Sequence, residues 1–268
     1  MRELIQTAKQ IANESADLPF SAYSSVMEQR ILNVPVVKPL LICVLDGSKA
    51  IGEENELSCG AGNFIFLSNS PNTSMRNIPD IGEYFALLVE FEYEDFDCLS
   101  SLTTNTERYC IGEIGSVLKN TLIQFVENTT YAPPEIWRLR RQEILQVISH
   151  LGYKAVNAIM APPSLSHKLH NIIKTDVSVD WNANTLSSML AMSESTLHRK
   201  LSVEGINLQT IKDRAKLGHG LHLIQTSFDS VSHVAEQCGY QSQSRFSEKF
   251  KQLFGITPSQ LRKTRVRD

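Results

Sequence analysis

The stretch GYQSQSRFSEKFKQLF, residues 239–254, decides the fold of the C-terminal part of the chain. Its phenylalanines Phe246, Phe250 and Phe254 recur at every fourth position, which places them on one face of an α-helix. Ser242 suits the start of such a helix, because its hydroxyl can accept a hydrogen bond from a free amide of the first turn. The stretch therefore predicts a helix with an apolar inner face and a polar outer face.

A shorter helix precedes this one. Ser230 begins it, and Val231 and Val234 supply its apolar positions. A tight turn at 238–240 follows, so the two helices predict a helix-turn-helix unit, whose second helix enters the major groove of DNA. The outward positions of that second helix are Gln243, Ser244, Arg245, Ser247, Glu248, Lys249 and Lys251.

The same pattern occurs once earlier in the chain. Asn184 can begin a short helix with apolar Leu186 and Leu190. After a break, Ser193 begins a second helix that turns Leu197 inward. The outward positions of this helix are Ser195, His198, Arg199 and Ser202.

One long helix is predicted between the two units, from about Leu208 to Gln225. About eighteen helical residues span roughly 27 Å. Successive major-groove faces on one side of B-DNA lie about 34 Å apart. One polypeptide could therefore place the second helix of each unit, here called its recognition helix, in adjacent major grooves.

Residues 186–263 resemble the DNA-binding domain of the AraC/XylS family of bacterial transcription regulators. The motifs that carry the resemblance are GYQSQSRFSEKFK at 239–251, FGITP at 254–258, Met192-Ser193 and TLHRKL at 196–201. Three positions depart from the family: Glu248 replaces a common arginine, and in the connecting helix Lys216 and Gly220 replace the usual arginine and alanine. Gly220 indicates close packing against a bulky neighbour, with a hinge as the alternative.

The resemblance implies that the recognition helices contact DNA. Arg199 has the planar fork that binds guanine O6 and N7, and Glu248 could accept a hydrogen bond from cytosine N4. Arg245 and Lys249 are better suited to phosphate, which positions the protein without specifying a sequence. The candidate DNA-binding residues are Ser195, His198, Arg199, Gln243, Ser244, Arg245, Ser247, Glu248 and Lys249.

The net charge is −3, but the charges are unevenly placed along the chain. From Ser164 onward there are 14 basic and 9 acidic residues, a net of +5, whereas residues 1–163 have a net of −8. A basic half attracts DNA and an acidic half repels it. The division predicts a regulatory part joined to a DNA-binding part, with dimerisation compensating for a modest basic charge.

Neither secretion nor a membrane location is expected. Five cysteines without paired spacing indicate a reducing compartment. The first residues lack the apolar core of a signal peptide, and no apolar run approaches the roughly 18 residues of a membrane span. We therefore expect a cytoplasmic protein that does not bind membranes.

The N-terminal part has the periodicity of β-structure. After a helix predicted at 3–16, strand-forming runs alternate with turn residues from Val34 onward, and Ser70-Pro71-Asn72 interrupts them. The helical period returns in two helices within about 111–151. The sequence predicts an α+β protein: an antiparallel β-barrel or sandwich with flanking helices, followed by an all-α domain with two helix-turn-helix units.

Residues 39–93 are similar to the cupin-type effector domain that precedes some AraC-family DNA-binding domains. The similarity rests on PLL at 39–41, LDGSK at 45–49, GAG at 60–62 and YFALLV at 84–89. The resemblance implies a small-molecule effector, a homodimer formed by the helices at 111–151, and activation at promoters through RNA polymerase. The alternative is a ligand-free N-terminal domain that binds another protein. The predicted domains are 1–163, with a sheet at about 34–97, and 164–268.

Lys38, Lys49 and Arg76 are the candidate effector-binding residues, because cations near predicted strands can pair with a carboxylate. The alternative is that each is simply exposed to solvent. His219 and His222 lie one turn apart, but two ligands make a weak metal site. No nucleophile elbow or phosphate-binding glycine loop is present, so no catalytic residue, metal, cofactor or enzymatic activity is expected.

Overall fold

A computed structural model describes residues 1–15, 18–52, 57–99, 108–159 and 164–265. The chain forms two compact units, one of Met1–Ala161 with Thr264–Asp268 and one of Pro162–Lys263. The predicted proline-rich linker at 161–163 lies outside the described residues. In the parts of the chain that are described, no helix is both long and apolar enough to cross a membrane.

The first unit combines β-sheets with helices. Its elements are α1 (Arg2–Glu14), β1 (Ser21–Ser25), β2 (Gln29–Val36), β3 (Leu40–Asp46), β4 (Ser48–Ile51), β5 (Leu57–Gly60), β6 (Asn63–Leu67), β7 (Ser70–Ile78), β8 (Tyr84–Glu90), a 3-10 helix (Tyr93–Cys98), β9 (Tyr109–Glu113), α2 (Ser116–Asn128), α3 (Pro134–His150) and a second 3-10 helix (Lys154–Ala158). The strands form a five-stranded sheet in the order β1-β8-β3-β6-β9 and a four-stranded sheet in the order β2-β7-β4-β5. All their pairings are antiparallel.

One apolar core lies between the two sheets. The five-stranded sheet contributes Ile42 and Ile65, and the four-stranded sheet contributes Ile51 and Met75. Because successive residues of a strand point to opposite faces, alternate positions of each strand enter this core. The arrangement confirms the predicted antiparallel sandwich.

The other face of the five-stranded sheet is covered by helices. Leu41 and Leu87 of this sheet pack in one cluster with Leu4 of α1, Leu122 of α2 and Ile148 of α3, all of them buried. This sheet therefore has cores on both faces. Its central strands consist of continuous apolar residues for that reason, without the alternation of a half-exposed strand.

The sheets extend beyond the predicted limits of about 34–97. The first strand begins at Ser21, and β9 continues to Glu113, where helix was expected from about residue 111. The stretch 70–72, predicted to interrupt the sheet, begins β7. A proline is tolerated near the first residues of a strand, where a missing amide donor costs little.

Arginines of α3 hold the first 3-10 helix in place. Arg141 pairs with both carboxylate oxygens of Asp95, at 2.5 Å from Nε and 3.2 Å from Nη2, and Asp95 is fully buried. The same carboxylate accepts a hydrogen bond from the backbone amide of Glu92. Arg138 pairs with Asp97 on the surface. Arg141 therefore belongs to the packed contact between α3 and the 3-10 helix.

The second unit is helical. Its elements are α4 (Leu165–Thr175), α5 (Ala183–Met189), α6 (Glu194–Val203), α7 (Leu208–Thr226), α8 (Val231–Gln237), α9 (Gln243–Phe254) and α10 (Pro258–Lys263). The helix-turn-helix units are α5–α6 and α8–α9. The helix α5 is capped by Asn182, whose Oδ1 accepts from the Thr185 amide at 2.8 Å, and not by the predicted Asn184.

Gly220 lies where the long helix α7 meets α9. A Cβ at this position would lie 2.8 Å from the Phe246 ring and 3.1 Å from the Cys238 sulfur. Both neighbours are fully buried and cannot move aside. Close packing against a bulky side chain, the interpretation preferred to a hinge, therefore explains why alanine is absent here.

Candidate DNA-binding surface and effector site

The first recognition helix, α6, is positioned by its cap and its inner face. The Ser193 hydroxyl accepts a hydrogen bond from the Thr196 amide at 3.3 Å, as predicted. Leu197 and Leu201 are buried in a cluster with Leu169 of α4. Two leucines one turn apart fix the rotation of the helix, so the opposite face points outward.

The outward face of α6 carries Ser195, His198, Arg199 and Ser202, all of them exposed. Ser195 Oγ lies 3.0 Å from Ser193 Oγ and thus belongs to the cap. Arg199 has no hydrogen bond or ion pair with any residue that the structure describes. Its guanidinium is therefore available to a ligand.

The second recognition helix, α9, is held by its phenylalanines. The ring centroids of Phe246 and Phe250 are 5.5 Å apart, and those of Phe250 and Phe254 are 4.7 Å apart. The Ser242 hydroxyl accepts from the Arg245 amide at 3.3 Å. The predicted cap and apolar stripe are both present.

The outward residues of α9 differ in how freely they can reach a ligand. Gln243, Ser244, Arg245 and Glu248 are exposed, whereas Ser247 and Lys249 are half-buried. Lys249 Nζ lies 3.8 Å from a carboxylate oxygen of Asp213 on α7. Lys249 thus joins the recognition helix to the connecting helix, which leaves the N-terminal end of α9 as the more accessible part.

The turns of the two units have matching backbone geometry. Ala191 and Gly239 occupy equivalent positions, with φ angles of 51° and 72°. At Gly239 a side chain would meet Lys216 Nζ at 3.0 Å and the Ser178 backbone at 3.2 Å, so glycine is needed there. Both units pack on α7, whose 19 residues span roughly 28 Å. The structure therefore carries two similarly built recognition helices on one scaffold.

Lys49 is the one candidate effector residue whose side chain is buried. Only 2% of it is exposed, and its Nζ donates to Asn77 Oδ1 at 2.6 Å and lies 3.5 Å from the Tyr84 hydroxyl. Burial lowers the pKa of Lys49 from 10.5 to about 7. No carboxylate of the described chain pairs with it, so an anion could stabilise its charged form.

The other two candidates each pair with a carboxylate, and Lys38 is half-buried. Lys38 pairs with Glu92, and Arg76 Nε lies 2.8 Å from Glu28. Arg76 is next to Asn77 on β7 and so points to the opposite face of the sheet from Lys49. The structure does not bring the three cations together, and Lys49 alone faces the core.

Two neutral residues near Lys49 were not predicted. Gln29, Asn77 and Lys49 are direct neighbours across β2, β7 and β4, and all three are buried. Amides in a strand are usually solvated, so the sequence carries no signal for their burial. The pairing of strands that are distant in the sequence brings Gln29, Asn77 and Lys49 side by side.

Among the described residues, no group of three or more His, Cys, Asp or Glu side chains could hold a metal ion. The imidazole of His219 is half-buried, and its pKa is lowered by burial and then by the charge of Lys174. The five cysteines are free thiols.

Two helix-turn-helix units on one connecting helix define a class of DNA-binding protein. Residues 186–264 match the family described as "Helix-turn-helix domain". Over 94 residues the chain is 31% identical to the HTH-type transcriptional regulator AdiY of Escherichia coli K12, covering 35% of this chain and 37% of that protein. Over 97 residues it is 34% identical to the transcriptional regulator SirC of Salmonella typhimurium, covering 36% and 33%. The chain thus spans only about a third of the length of these relatives.

The C-terminal part of the chain is therefore similar to the helix-turn-helix domains of transcriptional regulators such as AdiY and SirC. The fold as a whole is similar to that of an apo form of ToxT from Vibrio cholerae, with a TM-score of 0.67 and 15% identity over 94% of this chain and 100% of that one. A structure of unsaturated fatty acid-bound wild-type ToxT from Vibrio cholerae matches with a TM-score of 0.63 and 13% identity, over 92% of this chain and 95% of that one. At these identities the likeness concerns the fold.

Proposed function

We propose that this protein is a cytoplasmic, sequence-specific transcription regulator that places α6 and α9 in adjacent major grooves. The observation that carries the proposal is the repeated geometry of the two units, each with a serine cap, a buried inner face and an exposed polar outer face. Activation through RNA polymerase is the proposed mode of regulation, because the resemblance to AraC/XylS proteins implies it.

Within the proposed DNA contacts, Arg199 specifies sequence. It is exposed near the middle of α6, is unpaired among the described residues, and can donate two hydrogen bonds to guanine. Gln243 and Ser244 take the same role at the N-terminal end of α9. Arg245 and Lys249 bind phosphates, and the remaining members of the surface are Ser195, His198, Ser247 and Glu248.

Replacing Arg199 with alanine should weaken binding to a specific site by about 1–3 kcal/mol, which is roughly 5- to 150-fold. Binding to random DNA of equal length should change far less, because phosphate contacts supply that affinity. Fluorescence anisotropy with both DNAs at two salt concentrations measures the difference.

Arg245→Ala is the matched control for this experiment. It removes the same kind of side chain from a proposed phosphate contact. It should therefore weaken binding to the specific and the random DNA by similar factors and reduce the salt dependence of binding. If Arg199→Ala loses equal affinity for the specific and the random DNA, Arg199 is a phosphate contact as well.

For the first unit, we propose that Lys49 binds the carboxylate of an apolar effector. The ammonium is buried beside the apolar core between the sheets and lacks a carboxylate partner in the described chain. A carboxylate would supply the missing charge, and an apolar tail would suit the surrounding side chains. The similarity in fold to a fatty acid-bound protein supports an unsaturated fatty acid as the first ligand to test.

The alternative for this unit is a protein-interaction module without a ligand, in which Lys49 is only a structural cation. In either case we propose a homodimer formed by α2 and α3. On α3, Ile136 and Leu139 are 36% and 59% exposed, and Tyr131, which precedes α3, is 73% exposed. A second copy would bury these apolar surfaces.

A further inference from the structure

A row of buried polar side chains crosses the four-stranded sheet of the first unit. Gln29, Asn77 and Lys49 are cross-strand neighbours on β2, β7 and β4. Asn77 Nδ2 donates to Gln29 Oε1 at 2.8 Å, and Gln29 Nε2 donates to Thr264 Oγ1 at 2.7 Å. With the 2.6 Å bond from Lys49 to Asn77, the row is one continuous chain of hydrogen bonds.

The lysine sets the direction of this chain. An ammonium can only donate, so the oxygen of the Asn77 side chain must face Lys49 and its nitrogen must face Gln29. The Gln29 oxygen must then face Asn77, which turns its nitrogen toward Thr264. Each amide dipole is oriented by its neighbour, and the positive charge at one end stabilises all of them.

The far end of the chain of hydrogen bonds is Thr264, which belongs to the first unit. Thr264 is 8% exposed, and its carbonyl oxygen accepts from the Val26 amide at 2.8 Å. In the sequence it directly follows Lys263, the last residue of α10. Within the second unit, α10 packs against α7 and α9, and its Leu261 is buried.

We propose that Asn77 and Gln29 couple Lys49 to Thr264, so that an anion bound to the Lys49 ammonium changes how firmly the segment after α10 is anchored. The anionic ligand rests on the function proposed for Lys49, but the coupling itself does not. A bound anion neutralises the charge that orients the amides, which weakens the last hydrogen bond of the chain. Coupling of this kind is reciprocal, so release of Thr264 would also change the affinity of Lys49 for anions.

A double-mutant cycle on the full-length protein tests the coupling without a ligand. Lys49→Met removes the charge, and Thr264→Val removes the hydroxyl at the other end. Hydrogen–deuterium exchange is followed in the peptide covering 258–265. Lys49→Met alone should speed exchange there roughly threefold or more, and the effect should largely disappear when Thr264 is already valine.

Thr121→Val is the matched control, because Thr121 is also 8% exposed, lies in the first unit and bonds only within α2. Combined with Lys49→Met, it should leave the full exchange effect in place. If the effects of Lys49→Met and Thr264→Val simply multiply, as they would for a merely structural role at each site, the coupling is refuted.

A second experiment tests the proposed ligand class with palmitoleate, an unsaturated fatty acid. In calorimetry it should bind the wild-type protein and speed exchange at 258–265, and it should bind Thr264→Val without changing exchange there. Absence of binding to the wild-type protein overturns the proposed ligand class, whereas binding with unchanged exchange in the wild-type protein overturns the coupling.

Discussion

Replacing Lys49 with methionine should raise the free energy of unfolding below pH 7 and remove a pH dependence that the wild-type protein has. Burial lowers the pKa of Lys49 from 10.5, its value in the unfolded chain, to about 7 in the folded protein. Between these values the unfolded state binds more protons, so stability is lost as the pH falls from 10.5 to about 7. Below that range both states are protonated and the full cost, on the order of 5 kcal/mol, is present.

The net gain is smaller than this cost, because methionine leaves Asn77 Oδ1 without its donor. An unpaired buried acceptor costs about 1–3 kcal/mol, so we expect a net gain of roughly 2–4 kcal/mol at about pH 6. Urea unfolding of both proteins between about pH 6 and pH 10 measures the difference. The difference in free energy of unfolding should shrink as the pH rises, and it should vanish or change sign near the upper end of this pH range.

Lys119→Met is the control for this measurement. It makes the same substitution in the same unit, but Lys119 is 30% exposed and lies 3.6 Å from the exposed Glu3, so its loss should cost less than about 1 kcal/mol. A Lys49→Met difference that stays constant across the pH range would mean that Lys49 is charged and well solvated in the folded protein.

Replacing Asp95 with alanine should lower the free energy of unfolding of the first unit by about 3–5 kcal/mol. The change leaves the Arg141 guanidinium, which is only 15% exposed, without the carboxylate that it contacts through two nitrogens. It also removes the acceptor of the Glu92 amide at the start of the 3-10 helix. Both lost interactions stabilise the same contact, the one between the 3-10 helix and α3.

Asp97→Ala is the matched control, because Asp97 is 73% exposed and pairs with Arg138 on the surface. Exposed ion pairs contribute less than about 1 kcal/mol, so the free energy of unfolding of this variant should be close to that of the wild-type protein. Similar losses for the two variants would contradict the buried role of Asp95. Chemical denaturation followed by circular dichroism distinguishes the two outcomes.

The helical unit could be predicted closely because its signals are local. The serine caps at 193 and 242 and the phenylalanine stripe of α9 depend on residues three or four positions apart. The cap of α5 was misplaced by two residues because Asn182 and Asn184 are equally good cap residues. Only the fold decides which amide the side chain reaches.

The sandwich was predicted in outline but not in detail, since its strands depend on distant partners. The sequence of β1, SAYSS, carries little apolar alternation, and its strand forms because it pairs with β8. Lys49 was proposed as an effector residue without any sign that it is buried. Its neighbours Gln29 and Asn77 could not be predicted, because only the pairing of β2 and β4 with β7 brings them together.

Selection from a random double-stranded DNA pool with the full-length protein, repeated at two salt concentrations, tests the central proposal most directly. We expect one asymmetric motif with two elements about one helical turn apart, enriched at both salt concentrations. Arg199→Ala should reduce the sequence preference in the element bound by α6 and leave the preference in the other element unchanged. Enrichment of no motif, with all binding lost at the higher salt concentration, would contradict sequence-specific recognition by α6 and α9.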